Sequence, residues 1–213
     1  MDAGRHPLIE VLTNAEVTGC EGEPGNFTVT VRKNPRYVTE ECVACGLCVD
    51  HCPQVGGNEF DMGLMARKAI YRPFPQSVPA TYVIDSNACL NFTPHLDERQ
   101  RRRLEKMAKY KRKVDPEYPP NILVCGHCTD ACDVDAIDFD QMPEEVEIDV
   151  GSILVAVGFQ EFDARALGAY GYGRLPNVVT SLELERMLNA SGVTGGHVVR
   201  PSDLETPKRI VFI

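Results

Sequence analysis

Cys42-Val43-Ala44-Cys45-Gly46-Leu47-Cys48-Val49-Asp50-His51-Cys52-Pro53 puts four cysteines into eleven residues with the spacing C-x2-C-x2-C-x3-C-P. The two x2 steps let three thiolates converge from one tight loop, as a cubane iron–sulfur cluster requires, and the fourth leaves on a helical turn. Gly46 allows the backbone to approach inorganic sulfides so that N–H groups can point at them. Pro53 stiffens the exit. A zinc ribbon instead separates two cysteine pairs by a longer spacer.

A second group, Cys125-Gly126-His127-Cys128-Thr129-Asp130-Ala131-Cys132, repeats the last three cysteines of that run but has no cysteine three residues upstream. Its missing partner is expected to be Cys89. Thr81–Asp85 reads as a strand leading into Asn87-Ala88-Cys89, much as Arg36–Val38 leads into Cys42. Thirty-five residues, Leu90–Val124, then replace the two of the first run, an insertion that costs little when its ends already meet. In two-cluster bacterial ferredoxins the fourth cysteine of each run serves the other cluster. That rule gives Cys42, Cys45, Cys48 and Cys132 to one 4Fe-4S cluster and Cys89, Cys125, Cys128 and Cys52 to a second. Asp133 stands where the first run has Pro53. Structural zinc is the alternative for both runs. Cys20, on a strand-like segment, reads as a buried free thiol. His51 and His127 lie in the cysteine loops and either tune a cluster through a hydrogen bond or are plain loop residues. His6, His95 and His197 show no ligand spacing.

The chain around these runs has 213 residues, 43% of them hydrophobic and 25% charged, an ordinary globular composition. Twenty-two Lys and Arg against thirty-one Asp and Glu give a net charge of −9, which argues against general attraction to nucleic acid or anionic lipid. No apolar run reaches membrane-span length and no secretory signal opens the chain. The expected location is therefore the cytoplasm, where nine cysteines favour metal ligation over disulfides.

Short β-branched runs at Leu8–Thr13, Ala15–Cys20 and Phe27–Lys33 read as an antiparallel meander over residues 1–36. A two-cluster, ferredoxin-like domain is expected over 37–140, closing on Asp135–Phe139 as an edge strand. Beyond it, Val146–Val150 alternates, and Ile153–Val157, ended by Gly158, reads as a fully buried strand. Ser181–Asn189 reads as a helix capped by Ser181, with Leu182, Leu184, Met187 and Leu188 on its buried side. Arg209–Ile213 looks like the opening of another strand, so the chain reads as an internal fragment of a longer polypeptide.

Within the insertion, at about 95–115, lies a basic helix. Asp97–Asp115 carries nine Lys or Arg and four acids, a local +5 that leaves −14 for the rest. Leu96, Leu104, Met107, Ala108 and Tyr110 give it a partial apolar side. It is either a solvated helix over the clusters or a docking surface for an acidic partner. Nucleic acid is disfavoured because no aromatic platform accompanies the charge.

Several longer stretches are more discriminating than any cysteine spacing: Val43–Cys48, Gly57–Asp61, Arg67–Pro79, Ala136–Asp140, Tyr170–Arg174 and Gly195–Asp203. On these the chain resembles the iron–sulfur flavoprotein A-subunit family of heterodisulfide reductases. The resemblance implies an α+β fold in which a two-cluster bacterial-type ferredoxin module is inserted into part of a thioredoxin-reductase-like FAD-binding α/β domain, with residues 141–213 returning to a truncated flavin domain. It implies FAD in the full-length protein, although the glycine-rich pyrophosphate turn is absent from this sequence. It also implies flavin contacts at Ala156, Val157 and Gly158, where related folds show Ala-Thr-Gly and Val157 removes the hydroxyl. The function it implies is that of an oxidoreductase component moving electrons between FAD and other subunits, with hydrogenase or ferredoxin-type donors, toward a CoB–CoM heterodisulfide or related disulfide. No residue stands out as a catalytic acid, base or nucleophile. The rival readings are a self-standing ferredoxin-type carrier and a zinc-binding adaptor.

Overall fold

The computed structural model describes residue 4 and residues 6–92, 98–115 and 125–213. In chain order its elements are β1 (Ala15–Glu23), β2 (Asn26–Lys33), α1 (Leu47–His51), β3 (Val55–Gly57), β4 (Ala66–Lys68), β5 (Ile70–Tyr71), β6 (Val83–Ile84), α2 (Glu98–Val114), α3 (His127–Asp130), β7 (Glu144–Val150) and α4 (Ser181–Leu188). Among the described residues no helix is long and apolar enough to cross a membrane.

Three of the strands form an antiparallel sheet in the order β1-β2-β7. Pro24 and Gly25 turn β1 into β2, with Gly25 at φ 96 and Glu23 opposite Asn26, the arrangement expected of proline and glycine at the two central positions of a tight turn. The third strand of the expected meander is not Leu8–Thr13, which forms no strand, but β7, more than a hundred residues later. β7 matches β2 on both faces. Val146, Ile148 and Val150 stand opposite Val31, Val29 and Phe27. On the other face Glu145 pairs with Arg32, and Asp149 accepts a 2.7 Å hydrogen bond from Thr28, while Lys33 and Glu144 pair at the end of the apolar face. Apolar and opposite-charge cross-strand pairs of this kind are what stabilise a sheet. The chain leaves the sheet at Lys33 and re-enters directly opposite, at Glu144, so residues 34–143 occupy the place of a hairpin turn.

That excursion is a pseudo-symmetric pair of halves. Val38, at the start of the first, bridges Ile137 at the end of the second, with Thr39 N–H donating to the Ala136 carbonyl at 2.8 Å. β6, at the start of the second, pairs with β5 at the end of the first. The expected edge strand over Asp135–Phe139 is thus reduced to one bridge. Val38, Ala69, Ile70, Ile84, Ala136 and Phe139 fill the core between the halves, together with Cys48, Cys52 and Cys128.

The chain divides into two compact units, residues 1–56 with 68–154, and 57–67 with 155–213. In the second, α4 begins one residue earlier than its sequence suggests. Thr180 is the N-cap: its hydroxyl accepts from Glu183 N–H, and the Glu183 carboxylate accepts from Thr180 N–H at 2.7 Å, a complete capping box. Glu183 is buried, its carboxylate also accepting from the Tyr172 hydroxyl, whereas Leu188 is exposed. Met187 remains the buried apolar residue. Residues 153–157 form no strand, and Leu154 is 93% exposed. Apolar composition alone does not make a strand, whose backbone groups need a neighbouring strand to pair with. Residues 209–213 are likewise exposed and outside any strand.

Candidate metal centre

Each half of the module builds one loop of thiols. In the first, Gly46 takes φ 93 at the start of α1 and Ala44 takes φ 56. A side chain at Gly46 would be strained and would also stand 3.4 Å from the Tyr82 hydroxyl. This curl turns Ala44 N–H onto Cys42 Sγ at 3.4 Å. Cys48 is buried on α1, Cys42 is half-buried and Cys45 exposed. In the second, Cys125 and Gly126 lead into α3, which carries Cys128 in the position that Cys48 holds on α1. Cys132, just past α3, accepts from Ala136 N–H at 3.3 Å.

The thiols group across the halves. Burial pushes the Cys48 thiol up to about 11, and the neighbouring charges of Cys42, Cys132 and Cys45 push the same way. Cys128 is pushed up to about 12, again by burial first, then by Cys89, Cys125 and Cys52, and least by Cys48. Cys89, pushed up to about 11 by desolvation first, is half-buried beside Cys125 and Cys52, while backbone N–H groups of Asn91 and Phe92 pull it down. Thus the chain brings Cys132 to the loop of Cys42, Cys45 and Cys48, and brings Cys52 to Cys89, Cys125 and Cys128. A small cavity is walled by those last four cysteines and by Ile70 and Ile84.

Four thiols crowded in a dry place repel one another once ionised, so such a set is stable as thiolates only around a cationic group. Among the described residues no three or more His, Cys, Asp or Glu side chains gather as the ligands of one ion would. A cubane takes each thiolate at a different iron, so its ligands stand further apart. The donor chemistry and the N–H groups aimed at sulfur fit such a cluster.

Some residues that shape the site carry no sequence signal. The Asn91 side chain holds the backbone of Cys125 at both ends, accepting from its N–H at 3.0 Å and donating to its carbonyl at 2.9 Å. It closes the long insertion at its root. Tyr37, Phe92 and Phe139 pack as an aromatic trio, with ring centroids 4.2 to 6.5 Å apart, and Tyr37 lies near Cys89. Tyr82 lies near Cys48, Cys42 and Cys45. The repetition of Arg-Tyr-Val at 36–38 and Thr-Tyr-Val at 81–83, each just before a cysteine loop, is the pattern that could have pointed to the two tyrosines.

Other expected positions fall elsewhere. Cys20 is exposed rather than buried, on the edge strand β1 where no second layer covers it among the described residues. His51 hydrogen-bonds the Leu47 carbonyl at 2.9 Å, and both it and His127 are exposed. Ala156 and Val157 lie in an exposed extended stretch, and Gly158, at φ 71, faces open space. These three residues build no cavity and present no polar side chain, so they do not by themselves fit a dinucleotide. Leu96 and His95 lie outside the described residues, as do the side chains of Leu104, Met107 and Ala108. Tyr110 is exposed.

A 4Fe-4S binding domain model matches residues 35–55, the first half of the module. Over its whole length the chain is 45% identical to the CoB–CoM heterodisulfide reductase iron-sulfur A-subunit of Methanocaldococcus jannaschii. It is 47% identical to one such iron-sulfur A-subunit of Methanopyrus kandleri. It is 42% identical to the A-subunit of the H2:CoB-CoM heterodisulfide,ferredoxin reductase of Methanothermobacter marburgensis. The chain spans only 27–28% of the length of these curated relatives.

Proposed function

We propose that these 213 residues, 45–47% identical along their whole length to heterodisulfide reductase A-subunits, form the part of such a protein that conducts electrons through two 4Fe-4S clusters. One cluster is held by Cys42, Cys45, Cys48 and Cys132, the other by Cys52, Cys89, Cys125 and Cys128. The observation that supports this reading is proximity: Cys52 lines one cavity with Cys89, Cys125 and Cys128, and Cys132 lies beside Cys42, Cys45 and Cys48. When bound, the clusters supply one-electron transfer. The chain's own residues hold them close together, exclude water with Ile70, Ile84 and the aromatic trio, and aim N–H groups at the ligating sulfurs.

In this proposal residues 37–140 are the inserted module, and 1–36 and 141–213 belong to the flavin domain of a longer cytoplasmic protein. The meeting of Lys33 and Glu144 in one sheet supports that insertion. Residues 156–158, which present no polar side chain, would offer FAD backbone contacts alone, and its pyrophosphate falls to the rest of that longer protein. Reducing a disulfide to two thiols takes two electrons and two protons, so one-electron centres in series must deliver twice. We assign the disulfide chemistry, CoB–CoM heterodisulfide or a related substrate, to the complex as a whole, with hydrogenase or ferredoxin-type proteins as electron donors.

Anaerobic reconstitution of the full chain tests the ligand sets. The wild type should hold about eight iron and eight acid-labile sulfide. Cys132→Ser should alter the electron paramagnetic resonance signal that Cys45→Ser alters, Cys52→Ser the one that Cys125→Ser alters, and Cys20→Ser neither. A wild type that takes up zinc and no sulfide, or a Cys132→Ser protein that shares its defect with Cys125→Ser, refutes the proposal.

A further inference from the structure

The insertion that separates Cys89 from Cys125 contains a 17-residue helix, α2, about 25 Å long. Its described basic side chains are Arg99, Arg102, Arg103, Lys106, Lys109 and Lys113, and all are exposed. Their spacing of three and four residues puts them on one sector of the helix surface. Glu98 pairs with Arg102 at the N-terminal end. This face belongs to a segment of +5 on a chain whose other residues sum to −14, so the cations are not spread evenly as solubility alone would ask. Both ends of the insertion return to one place, Phe92 beside Cys89 and Cys125 clamped by Asn91. In the chain α2 thus lies between two cysteines of the second set, Cys89 and Cys125, and between none of the first.

We propose that the cationic face of α2 is the docking surface for the acidic face of a small electron-carrier protein, which exchanges electrons with the group held by Cys52, Cys89, Cys125 and Cys128. This rests on the electron-transfer reading above and adds the surface at which such a carrier docks and the group it serves. The exchange moves one electron: the carrier is oxidised by one as that group is reduced by one, or the reverse, with no proton or atom transferred. The charge of α2 acts mainly on the encounter rate, because exposed charges steer approach and are screened by salt.

The test uses the full chain and a fluorescently labelled acidic bacterial-type ferredoxin, with association followed by stopped flow at low and high ionic strength. Association with wild type should be fast at low salt and fall steeply as salt rises. Reversing Arg102, Arg103, Lys106 and Lys109 to Glu should slow it roughly tenfold or more at low salt and flatten its salt dependence. Reversing the exposed Lys208 and Arg209 should change it less than twofold. An unchanged rate in the α2 reversal overturns the proposal, as does tighter binding of α2 to an RNA duplex or to phosphatidylserine vesicles than to the carrier. Binding is read by fluorescence whether or not clusters are loaded, and iron content is read separately. A failure of the cluster reading is therefore distinct from a failure of docking.

Discussion

Replacing Asn91 by Ala should selectively weaken the second cysteine set. The insertion stretches the Cys89–Cys125 gap from two residues to thirty-five, which by loop-closure scaling costs about 2–3 kcal/mol more than the short gap of the first run. The Asn91 amide makes two hydrogen bonds to the Cys125 backbone, at 2.9 and 3.0 Å. At about 1 kcal/mol net each they contribute about 2 kcal/mol, enough to offset most of the closure cost. Without them the assembled arrangement should be about thirtyfold less populated relative to the open one. Anaerobic reconstitution followed by chelator challenge reads this directly: iron should fall from about eight toward about four per chain, with the surviving signal belonging to the set of Cys42, Cys45 and Cys48. Asn91→Asp keeps an acceptor for the Cys125 N–H and should fall between. Unchanged chelation kinetics, or equal loss of both signals, would refute the clamp.

Two further outcomes follow from the buried polar groups. In the second unit Arg186 Nε donates to Asp61 Oδ1 at 2.9 Å, with side chains only 12% and 8% exposed, while Asn58 holds the other Asp61 oxygen and Phe60 lies under the guanidinium at 4.2 Å. Asp61→Ala leaves a buried cation and should destabilise this unit by about 3–5 kcal/mol, read as faster amide exchange across α4, and the double replacement Asp61→Leu with Arg186→Met should recover most of it; a single-variant loss under about 1 kcal/mol would contradict the pairing. The cluster-free protein should lose stability as pH rises from 9 toward 11 and 12. Its Cys48, Cys89 and Cys128 thiols ionise later when folded than when unfolded, so their contribution is full below 9 and disappears through the folded values. The cluster-loaded protein, whose cysteines are already thiolates, should show no such fall from these groups, and matching melting profiles for the two forms between pH 9 and 11 would argue against it.

What could be read from the sequence was what is local. The cysteine loops, the helix after each, the insertion at Leu90 and the helix within it depend on spacings of a few residues, and the structure has them where the spacing puts them. The expected exchange of Cys52 and Cys132 rests on a different argument: when two halves repeat and each ends on the partner's strand, the last cysteine of each is carried toward the other half. Asn91 was illegible because its role exists only once residues thirty-four apart are brought together. Cys20 and Ile153–Val157 were misread because a strand-like segment or a continuous apolar run reports a tendency to pair or be covered, not the presence of a neighbour.

The replacement of Leu8–Thr13 by β7 joins these observations to function. A meander closed by Leu8–Thr13 would be complete before the cysteines begin, and the module would hang from one end of it. With β7 as the third strand, both ends of the module are fixed to β2 and its neighbour, at Lys33 and Glu144, by backbone pairing and ion pairs. Two anchored ends allow an inserted domain far less orientational freedom than one. Electron transfer between fixed centres depends on their separation, so a module meant to pass electrons onward gains from this attachment in a way that a diffusing carrier would not. The sheet register, more than the cysteine spacing, supports the proposed role as a built-in conductor over that of a self-standing ferredoxin. Lys33→Glu together with Arg32→Glu, which sets like charges opposite Glu144 and Glu145, should loosen the module's attachment while leaving about eight iron bound. Amide exchange should then rise in β7 and β2 and stay unchanged around α1 and α3. Equal acceleration in both places would mean that the sheet and the cluster module are one cooperative unit, and that the anchoring is not a separable device.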